Sequence, residues 1–314
     1  MTIQAVSGER FEEMSVEGLR TVGVFIQEDP RYFTLRLRVP GGNLSVDQME
    51  GLARIARRYG RGRVHLTTRQ AVQLPWVRAS QIQEVVGELE KIGLLLSSCG
   101  PRVRNIVACP GWPECKNGTS KPLESSRVDT QRLCEEMDRR FFGLDTPTKV
   151  KIGIAGCPNS CVRAQTNDIA LVAKVKPKLI SERCNGCGLC QMACKEGACF
   201  LSEAEDWTAR RPQFLWDECI RCGDCIRNCP QEALVPEREG YHIYAGGKVG
   251  RHPQFAYLIA EYADEETIYR VTENIIGTFR EEGVPGERLG STINRMGLEE
   301  FRRRVLNSKG GNGE

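Results

Sequence analysis

The chain has 314 residues, 40% of them hydrophobic and 27% charged, with a formal net charge of +3. This composition is typical of a soluble globular protein of two or three domains. It excludes a protein that spans a membrane, because the longest apolar run, near Ile92–Leu96, is far shorter than the about 20 residues that a span requires.

The charge is unevenly distributed along the chain. Residues 31–78 contain ten Arg, no Lys and two acidic residues, so this stretch alone carries a charge of +8. Guanidinium groups bind carboxylates and phosphates bidentately, so the stretch favours a partner rich in such groups, and nucleic acid is one candidate.

The amino-terminal half begins with a pattern of strand and helix. Phe33–Val39 alternates apolar and basic residues, which predicts a strand. Ser45 and Gln48 have the spacing of a capping box, and the apolar stripe after them predicts a helix that ends at Gly60.

The same pattern then repeats. Arg63–Leu66 and Ala71–Leu74 are predicted to be short strands. Ser80 and Gln83 again have capping-box spacing before a second helix, and Leu94–Leu96 is predicted to be the last strand. The order β-α-β-β-α-β is that of a ferredoxin-like unit.

Four cysteines with unusual spacing follow this unit. Cys109 and Cys115 enclose five residues, and Cys157 and Cys161 enclose three. The wider spacing is awkward for zinc, and a disulfide needs an oxidising compartment that nothing in the sequence supports, since no signal peptide is visible. A [4Fe–4S] cluster fits the count of four.

Nine of the 15 cysteines fall between Cys184 and Cys229, in two runs of C-x2-C-x2-C-x3-C spaced 35 residues apart. This is the bacterial two-cluster ferredoxin pattern, in which the fourth Cys of each run binds the other cluster. The predicted ligands of one [4Fe–4S] cluster are Cys184, Cys187, Cys190 and Cys229. Those of the second cluster are Cys219, Cys222, Cys225 and Cys194.

Three cysteines are left without a ligand role. Cys199 lies 35 residues before Leu234, so it occupies an apolar position of the repeat and is predicted to be a buried structural thiol. Cys134 lies in a polar helical stretch and Cys99 lies beside Gly100.

The pattern becomes ordinary again after the second run. Tyr241–Tyr244 is predicted to be a strand, and an apolar stripe from Ile268 to Phe279 predicts a core helix. The cysteine-rich block is therefore predicted to be an inserted domain of an α+β protein. The predicted divisions are 1–98, a ferredoxin-like half domain; 99–178 and 238–306, an α/β domain; 179–237, the insert; and 307–314, a disordered tail.

The four cysteines resemble the signature of a known family. C-x5-C at Cys109 and Cys115, followed about forty residues later by GC-x-N-x-C at Cys157 and Cys161, is similar to the signature of sirohaem-containing sulfite and nitrite reductases. The resemblance extends from about residue 34 to about residue 260. It implies that these four cysteines bind a [4Fe–4S] cluster and that Cys161 also binds the sirohaem iron, giving three clusters and one sirohaem per chain.

Four basic motifs extend the resemblance: RLRVPGG at 36–42, LTTRQ at 66–70, RN at 104–105 and KVK at 149–151. By resemblance, the residues that hold the substrate oxyanion are Arg36, Arg104, Lys149 and Lys151. Those that hold sirohaem carboxylates are Arg38 and Arg69, with Thr68 and Gln70 as neighbours. The residues themselves agree in part, because Lys149 and Lys151 are two apart on a strand and point to one face. Nucleic acid becomes a weak candidate, since sirohaem carboxylates are a better partner for the Arg.

The resemblance implies a six-electron reduction of sulfite to sulfide, with electrons entering through the insert from an iron–sulfur or flavin protein. The layout is similar to that of the sirohaem subunit of anaerobic and dissimilatory sulfite reductases. Two alternatives stay open: nitrite reduction to ammonia at the same site, and a non-catalytic electron-transfer subunit.

Assimilatory members of the family contain two copies of the unit in one chain, and the cluster cysteines and the substrate cations come from different copies. This chain has one copy that contains both sets. We therefore expect a homo- or hetero-oligomer in which the basic residues of one protomer face the sirohaem of another.

Overall fold

The computed structural model describes residues 11–119 and 129–307. Apart from Asn307, the tail for which the sequence predicts disorder lies outside the described residues. Within the described ranges, no helix combines the length and the apolar character that crossing a bilayer demands.

The amino-terminal unit is an antiparallel sheet covered by helices. Its elements are α1 (Val16–Thr21), β1 (Val24–Ile26), β2 (Tyr32–Leu37), α2 (Val46–Tyr59), β3 (His65–Leu66), β4 (Val72–Arg78) and α3 (Ile82–Lys91). The strand order in the sheet is β1-β2-β4-β3. The ferredoxin-like prediction is confirmed, with β1 as an added strand.

Helix α2 begins and ends where the sequence predicts. Ser45 accepts a hydrogen bond from the backbone N–H of Gln48, and the Gln48 side chain accepts one from the Ser45 N–H, so the capping box is complete. Gly60 ends the helix. Leu52 and Ile55 are buried, so the apolar stripe of α2 packs into the core of this unit.

Two local predictions are wrong. Ser80 lies in a single 3₁₀ turn, Ala79–Gln81, and it does not cap α3, whose N-cap makes no side-chain hydrogen bond. The strand predicted at Leu94–Leu96 is reduced to one bridge between Leu96 and Leu37. The reason is that β1 already occupies most of that edge of β2.

The second unit contains a mixed five-stranded sheet. Its elements before the insert are β5 (Val107–Ala108), α4 (Thr130–Phe141), β6 (Ile152–Ala155) and β7 (Ile169–Leu179). Those in the insert are α5 (Leu189–Ala193), β8 (Cys199–Leu201), β9 (Pro212–Phe214) and α6 (Asp224–Arg227). Those after it are β10 (Leu234–Ala245), β11 (Tyr257–Ala263), α7 (Glu265–Glu282), α8 (Leu289–Met296) and α9 (Leu298–Asn307).

The strand order is β11-β10-β7-β6-β5, and β5, β6 and β7 are parallel. Helices α4, α7, α8 and α9 bury their apolar stripes against one face of this sheet. As predicted, α7 is a core helix, with Ile268 and Phe279 fully buried.

The insert leaves and rejoins the sheet at the end of one long hairpin. Strands β7 and β10 pair antiparallel. The pairing begins where Ile169 lies opposite Ala245 and ends where Leu179 lies opposite Leu234, so residues 180–233 emerge at that end. The insert has a small core of its own, which contains Cys190, Cys199, Cys225 and Leu234. Cys199 is 2% exposed, as expected of a structural thiol at an apolar position of the repeat.

Candidate functional site

Two of the four spaced cysteines lie within two residues of the ends of neighbouring parallel strands. Cys109 follows β5 and Cys157 follows β6, and the backbone N–H of Cys109 donates to the Ile154 carbonyl at 3.1 Å. The carboxyl ends of parallel strands meet at one edge of a sheet, so the two thiols lie close together. The N–H of Gly156 also donates to the Cys109 Sγ at 3.1 Å.

The other two cysteines approach the same point. Burial raises the pKa of Cys109, and the nearby thiols of Cys161 and Cys115 raise it further. Burial likewise raises the pKa of Cys157, with smaller contributions from the thiols of Cys109, Cys115 and Cys161. We call these four residues the four-cysteine set. Cys161 is exposed whereas Cys109 and Cys157 are buried, so Cys161 can also reach a ligand outside the set.

The number of cysteines in this set equals the number of protein ligands of a [4Fe–4S] cluster. In the described part of the chain, no three His, Cys, Asp or Glu side chains converge closely enough to share one metal ion. A [4Fe–4S] cluster does not require such convergence, because each of its four cysteines binds a different iron.

Each predicted ligand set of the insert lines one cavity. Four cysteines line the first, which we call the outer cavity: Cys184, Cys187, Cys190 and Cys229. The second, which we call the inner cavity, is lined by the other predicted set, Cys194, Cys219, Cys222 and Cys225, and also by Cys199 and Cys157. The fourth Cys of each run therefore lies with the first three of the other run.

The inner cavity lies beside the four-cysteine set. Cys157 and Asn159 form part of its wall, although they belong to the loop after β6. The backbone N–H of Val175 on β7 donates to the Arg221 carbonyl at 3.0 Å, so the loop between Cys219 and Cys222 is docked on the sheet.

The predicted basic residues form a second centre. Burial is the main cause that lowers the pKa of Arg69, to about 10, and Arg104 and Arg36 lower it further through their charges. Burial also lowers the pKa of Lys151, to about 8, with contributions from Arg69 and Lys149. We call Arg36, Arg69, Arg104 and Lys151 the basic group. Lys149 is exposed at its edge.

Backbone carbonyls and one side-chain amide hold the basic group in place. The Arg104 guanidinium donates to the Gly100 carbonyl at 2.9 Å. The Arg69 guanidinium donates to the Asn167 Oδ1 at 2.7 Å and to the Asn105 carbonyl at 2.6 Å. Yet the Nε atoms of Arg69 and Arg104 are buried and lack a hydrogen-bond partner in the described residues. Unpartnered buried donors among like charges are what an anion site offers.

The other predicted cofactor ligands have partners within the protein or point to solvent. Arg38 forms an ion pair with the buried Asp138 at 2.5 Å and lies over the Phe142 ring. The Gln70 side chain exchanges hydrogen bonds of 2.8 and 2.9 Å with the Ala108 backbone, which ties its turn to β5. Thr68 is exposed. Their role toward sirohaem stays a prediction.

The basic group and the four-cysteine set lie at opposite ends of β6. Lys151 immediately precedes this strand and Cys157 follows it. The extended segment from Lys151 to Ala155 alone spans about 13 Å at ~3.3 Å per residue. Within one chain the two groups are therefore separated by the length of the strand.

Three residues that organise the basic group had no role in the sequence prediction: Asp168 and Arg288, which were not named, and Asn105, which was named only as part of the RN motif. Asp168 is fully buried, accepts the Lys151 N–H at 2.9 Å and pairs with Arg288 at 2.7 Å. The Asn105 side chain accepts the Val39 N–H and donates to the Arg69 carbonyl, which joins two basic loops. The one feature of the sequence that could have pointed to Asp168 is its position directly before an apolar strand. No feature of the sequence points to Arg288.

Comparison with known proteins gives consistent matches over nearly the whole chain. Residues 99–311 match the family described as the nitrite and sulphite reductase 4Fe-4S domain, and residues 25–92 match the nitrite/sulfite reductase ferredoxin-like half domain.

Two curated relatives and one solved structure illustrate the similarity. The coenzyme F420-dependent sulfite reductase of Methanocaldococcus jannaschii is 33% identical over 89% of this chain, which spans only 43% of that protein. One subunit of the anaerobic sulfite reductase of Salmonella typhimurium is 28% identical over 87% of this chain and 82% of its own length. The crystal structure of dissimilatory sulfite reductase I has a TM-score of 0.69 at 22% identity, covering 90% of this chain and 70% of that one, which supports the fold.

Proposed function

The chain belongs to the nitrite and sulfite reductase family, and from this membership we propose that it catalyses the six-electron reduction of sulfite to sulfide. The observation that carries the proposal is the four-cysteine set, which gathers at the carboxyl ends of β5 and β6 beside the inner cavity of the insert. That arrangement offers a place for a cluster and a route for electrons toward it.

The residues present fit the cofactors that the family uses. The four-cysteine set would hold one [4Fe–4S] cluster, and the exposed Cys161 sulfur would also bind the sirohaem iron. The two cavities of the insert would hold two further clusters. Sirohaem joined to a cluster supplies a metal that binds the anion and accepts electrons one at a time.

The basic group, together with Lys149, would bind and protonate the anion. Converging cations in a partly buried pocket attract a dianion strongly, because water screens the charges poorly there. Lys151 has its pKa lowered to about 8 by burial, so its ammonium can release a proton near neutral pH, and oxygen must leave sulfite as water.

We further propose that the complete site is shared between protomers. Within one chain the basic group and the four-cysteine set lie at opposite ends of β6. A second copy, or a related subunit, would bring its basic group to the sirohaem that this chain binds. The similarity to one subunit of a larger reductase favours such an assembly.

The test is an anaerobic preparation assayed with a reduced dye and either sulfite or nitrite. The expected result is three [4Fe–4S] clusters and one sirohaem per chain, with sulfide formed from sulfite at a higher kcat/KM than ammonia from nitrite. The reverse preference would assign the chain to nitrite reduction. Protein made with sirohaem available that shows no sirohaem absorption would instead indicate an electron-transfer subunit.

A further inference from the structure

The two cavities of the insert are related by the sequence repeat, yet their walls differ in charge. Apart from cysteine thiols, no ionisable residue of the described chain lines the outer cavity. Five charged residues line the inner cavity: Lys195, Glu196, Arg221, Asp224 and Arg227. All of these charges thus line the cavity that lies next to the four-cysteine set.

The repeat shows which residues create this asymmetry. Arg221, between Cys219 and Cys222, corresponds to Gly186, 35 residues earlier. Gly186 has a φ of +75°, and a Cβ there would lie 2.1 Å from the Trp207 carbonyl oxygen, so the outer loop has no room for a side chain. The cation is therefore possible in only one of the two loops.

Most of the inner charges are compensated locally. Arg227 forms an ion pair with Asp224, and Lys195 and Glu196 are exposed neighbours of opposite sign. Exposed or paired charges have little effect at a distance because water and counterions screen them.

Two cations have no carboxylate ion pair in the described part of the chain: Arg221 in the cavity wall and Lys174, which lies next to it on β7. The Nε of Arg221 is buried and has no hydrogen-bond partner in the described residues, and its Nη1 donates to the Cys219 carbonyl at 3.4 Å. Lys174 on β7 is half-buried beside Arg221. The negative groups that act on Lys174 are the sulfurs of Cys219 and Cys222 and the exposed Glu261.

We propose that Arg221 and Lys174 raise the reduction potential of the cluster in the inner cavity above that of the cluster in the outer cavity. The inference rests on the proposed role of the insert as the path for electrons. A cluster would gain one negative charge when it is reduced, and cations without an ion-pair partner in a partly buried site stabilise that form.

The consequence is a direction for electron flow. With a cluster in each cavity, one electron given up by the outer cluster would be taken up by the inner cluster, with no bond made or broken. The inner cluster is the one whose cavity wall includes Cys157. Solvent exposure acts in the opposite sense, because Cys187 in the outer set is exposed and water also stabilises added charge.

The experiment is a redox titration of the anaerobic holoenzyme followed by EPR. Of the two clusters in the insert, the inner one should have the higher reduction potential. We expect Arg221→Gln and Lys174→Gln each to lower that potential by about 59 mV, which is a tenfold change in a one-electron equilibrium. Arg221→Lys, which keeps the charge, should restore most of the shift. The matched control is Lys178→Gln, an exposed lysine on the same strand and face as Lys174. A Cys187→Ser variant identifies the outer signal.

Two results would overturn the inference. One is a reduction potential that shifts no more in Arg221→Gln and Lys174→Gln than in Lys178→Gln, and the other is a shift confined to the outer cluster. Because Lys174 lies outside the cysteine loops, its variant tests the inference even where Arg221→Gln loses the cluster. Different results would contradict the proposed function: a protein that lacks the clusters, or one that forms no sulfide. Neither of these results depends on a shift in reduction potential.

Discussion

Among single residues, Cys161 stands out from the other members of the four-cysteine set by its exposure. Cys109 and Cys157 are buried, and Cys115 is half-buried. An exposed thiolate can bind a cluster iron on one side and a second metal on the other. Cys134 is also a free thiol but is fully buried in α4, where burial raises its pKa far above the ordinary value.

We expect Cys161→Ser to abolish the sirohaem absorption bands and to reduce sulfide formation to background. Cys134→Ser, which changes the same atom in the core, should retain the full iron and sirohaem content. Metal analysis and the visible spectrum of both variants check this. Sirohaem bands of normal intensity in Cys161→Ser would rule out the bridging role.

Lys151 makes a prediction about pH. Burial lowers its pKa from 10.5 to about 8, so the ammonium is present below about pH 8 and is lost as the pH rises through that value. The catalytic rate should therefore decline above about pH 8. Lys151→Gln should lower kcat by about 10²–10⁴-fold, as expected for loss of a proton donor, and remove the decline.

Lys151→Arg provides the control because it keeps the charge at every pH but releases no proton. It should preserve sulfite binding, measured as KM, more than it preserves kcat. If Lys151→Gln retained the alkaline decline of the rate, another group would be the proton donor.

At the level of elements, a close contact holds the insert on the sheet. Gly223 begins α6 with a φ of +76°, and a Cβ there would lie 2.6 Å from Val175 Cγ1 on β7. The equivalent position in the first half of the repeat is Gly188, with a φ of +79°, whose nearest neighbour would be Leu201 Cδ1 at 3.4 Å. The two glycines share a backbone conformation, but only Gly223 faces the sheet.

This pair gives a matched test of docking. Gly223→Ala should slow reduction of the sirohaem by a donor in stopped-flow measurements, because the added methyl group pushes the inner cavity away from β7. Gly188→Ala should show only the cost of a non-glycine residue at positive φ, about 1–3 kcal/mol of stability. Equal rates of sirohaem reduction in the two variants would argue against the docked insert as the electron path.

For the molecule as a whole, the separation along β6 makes a complementation test possible. If two like chains share their sites, Cys161→Ser and Lys151→Gln are each inactive alone but damage different halves of each site. In a two-fold dimer, random assembly of both variants leaves one intact site in half of the dimers, or about a quarter of the wild-type activity.

The measurement is sulfide formation by protein from cells that co-express the two variants, each with a different affinity tag. Cys161→Ser expressed with a second copy of itself is the control. Purified mixed assemblies without recovered activity would contradict a site shared between like chains.

The sequence by itself determined most of the elements and predicted the ligand chemistry. The capping box at Ser45, the stripe of α2 and the paired cysteine runs are local patterns, and local patterns survive folding because they depend on neighbours in the chain. Even the crossed ligand sets of the insert followed from the repeat, and the two cavities show the same grouping.

Only the tertiary structure decided what depends on distance between remote residues. Leu94–Leu96 has strand-like residues, but β1 occupies most of the edge of β2 and leaves room for only one bridge, between Leu96 and Leu37. Asp168 and Arg288 are 120 residues apart and form a buried ion pair that no spacing rule reveals. The sequence led us to expect that the basic residues of one protomer face the sirohaem of another, but only the sheet shows how far apart the two sets lie within one chain. The basic group and the four-cysteine set are at opposite ends of β6, and a strand is rigid, so it fixes the separation of whatever lies at its two ends.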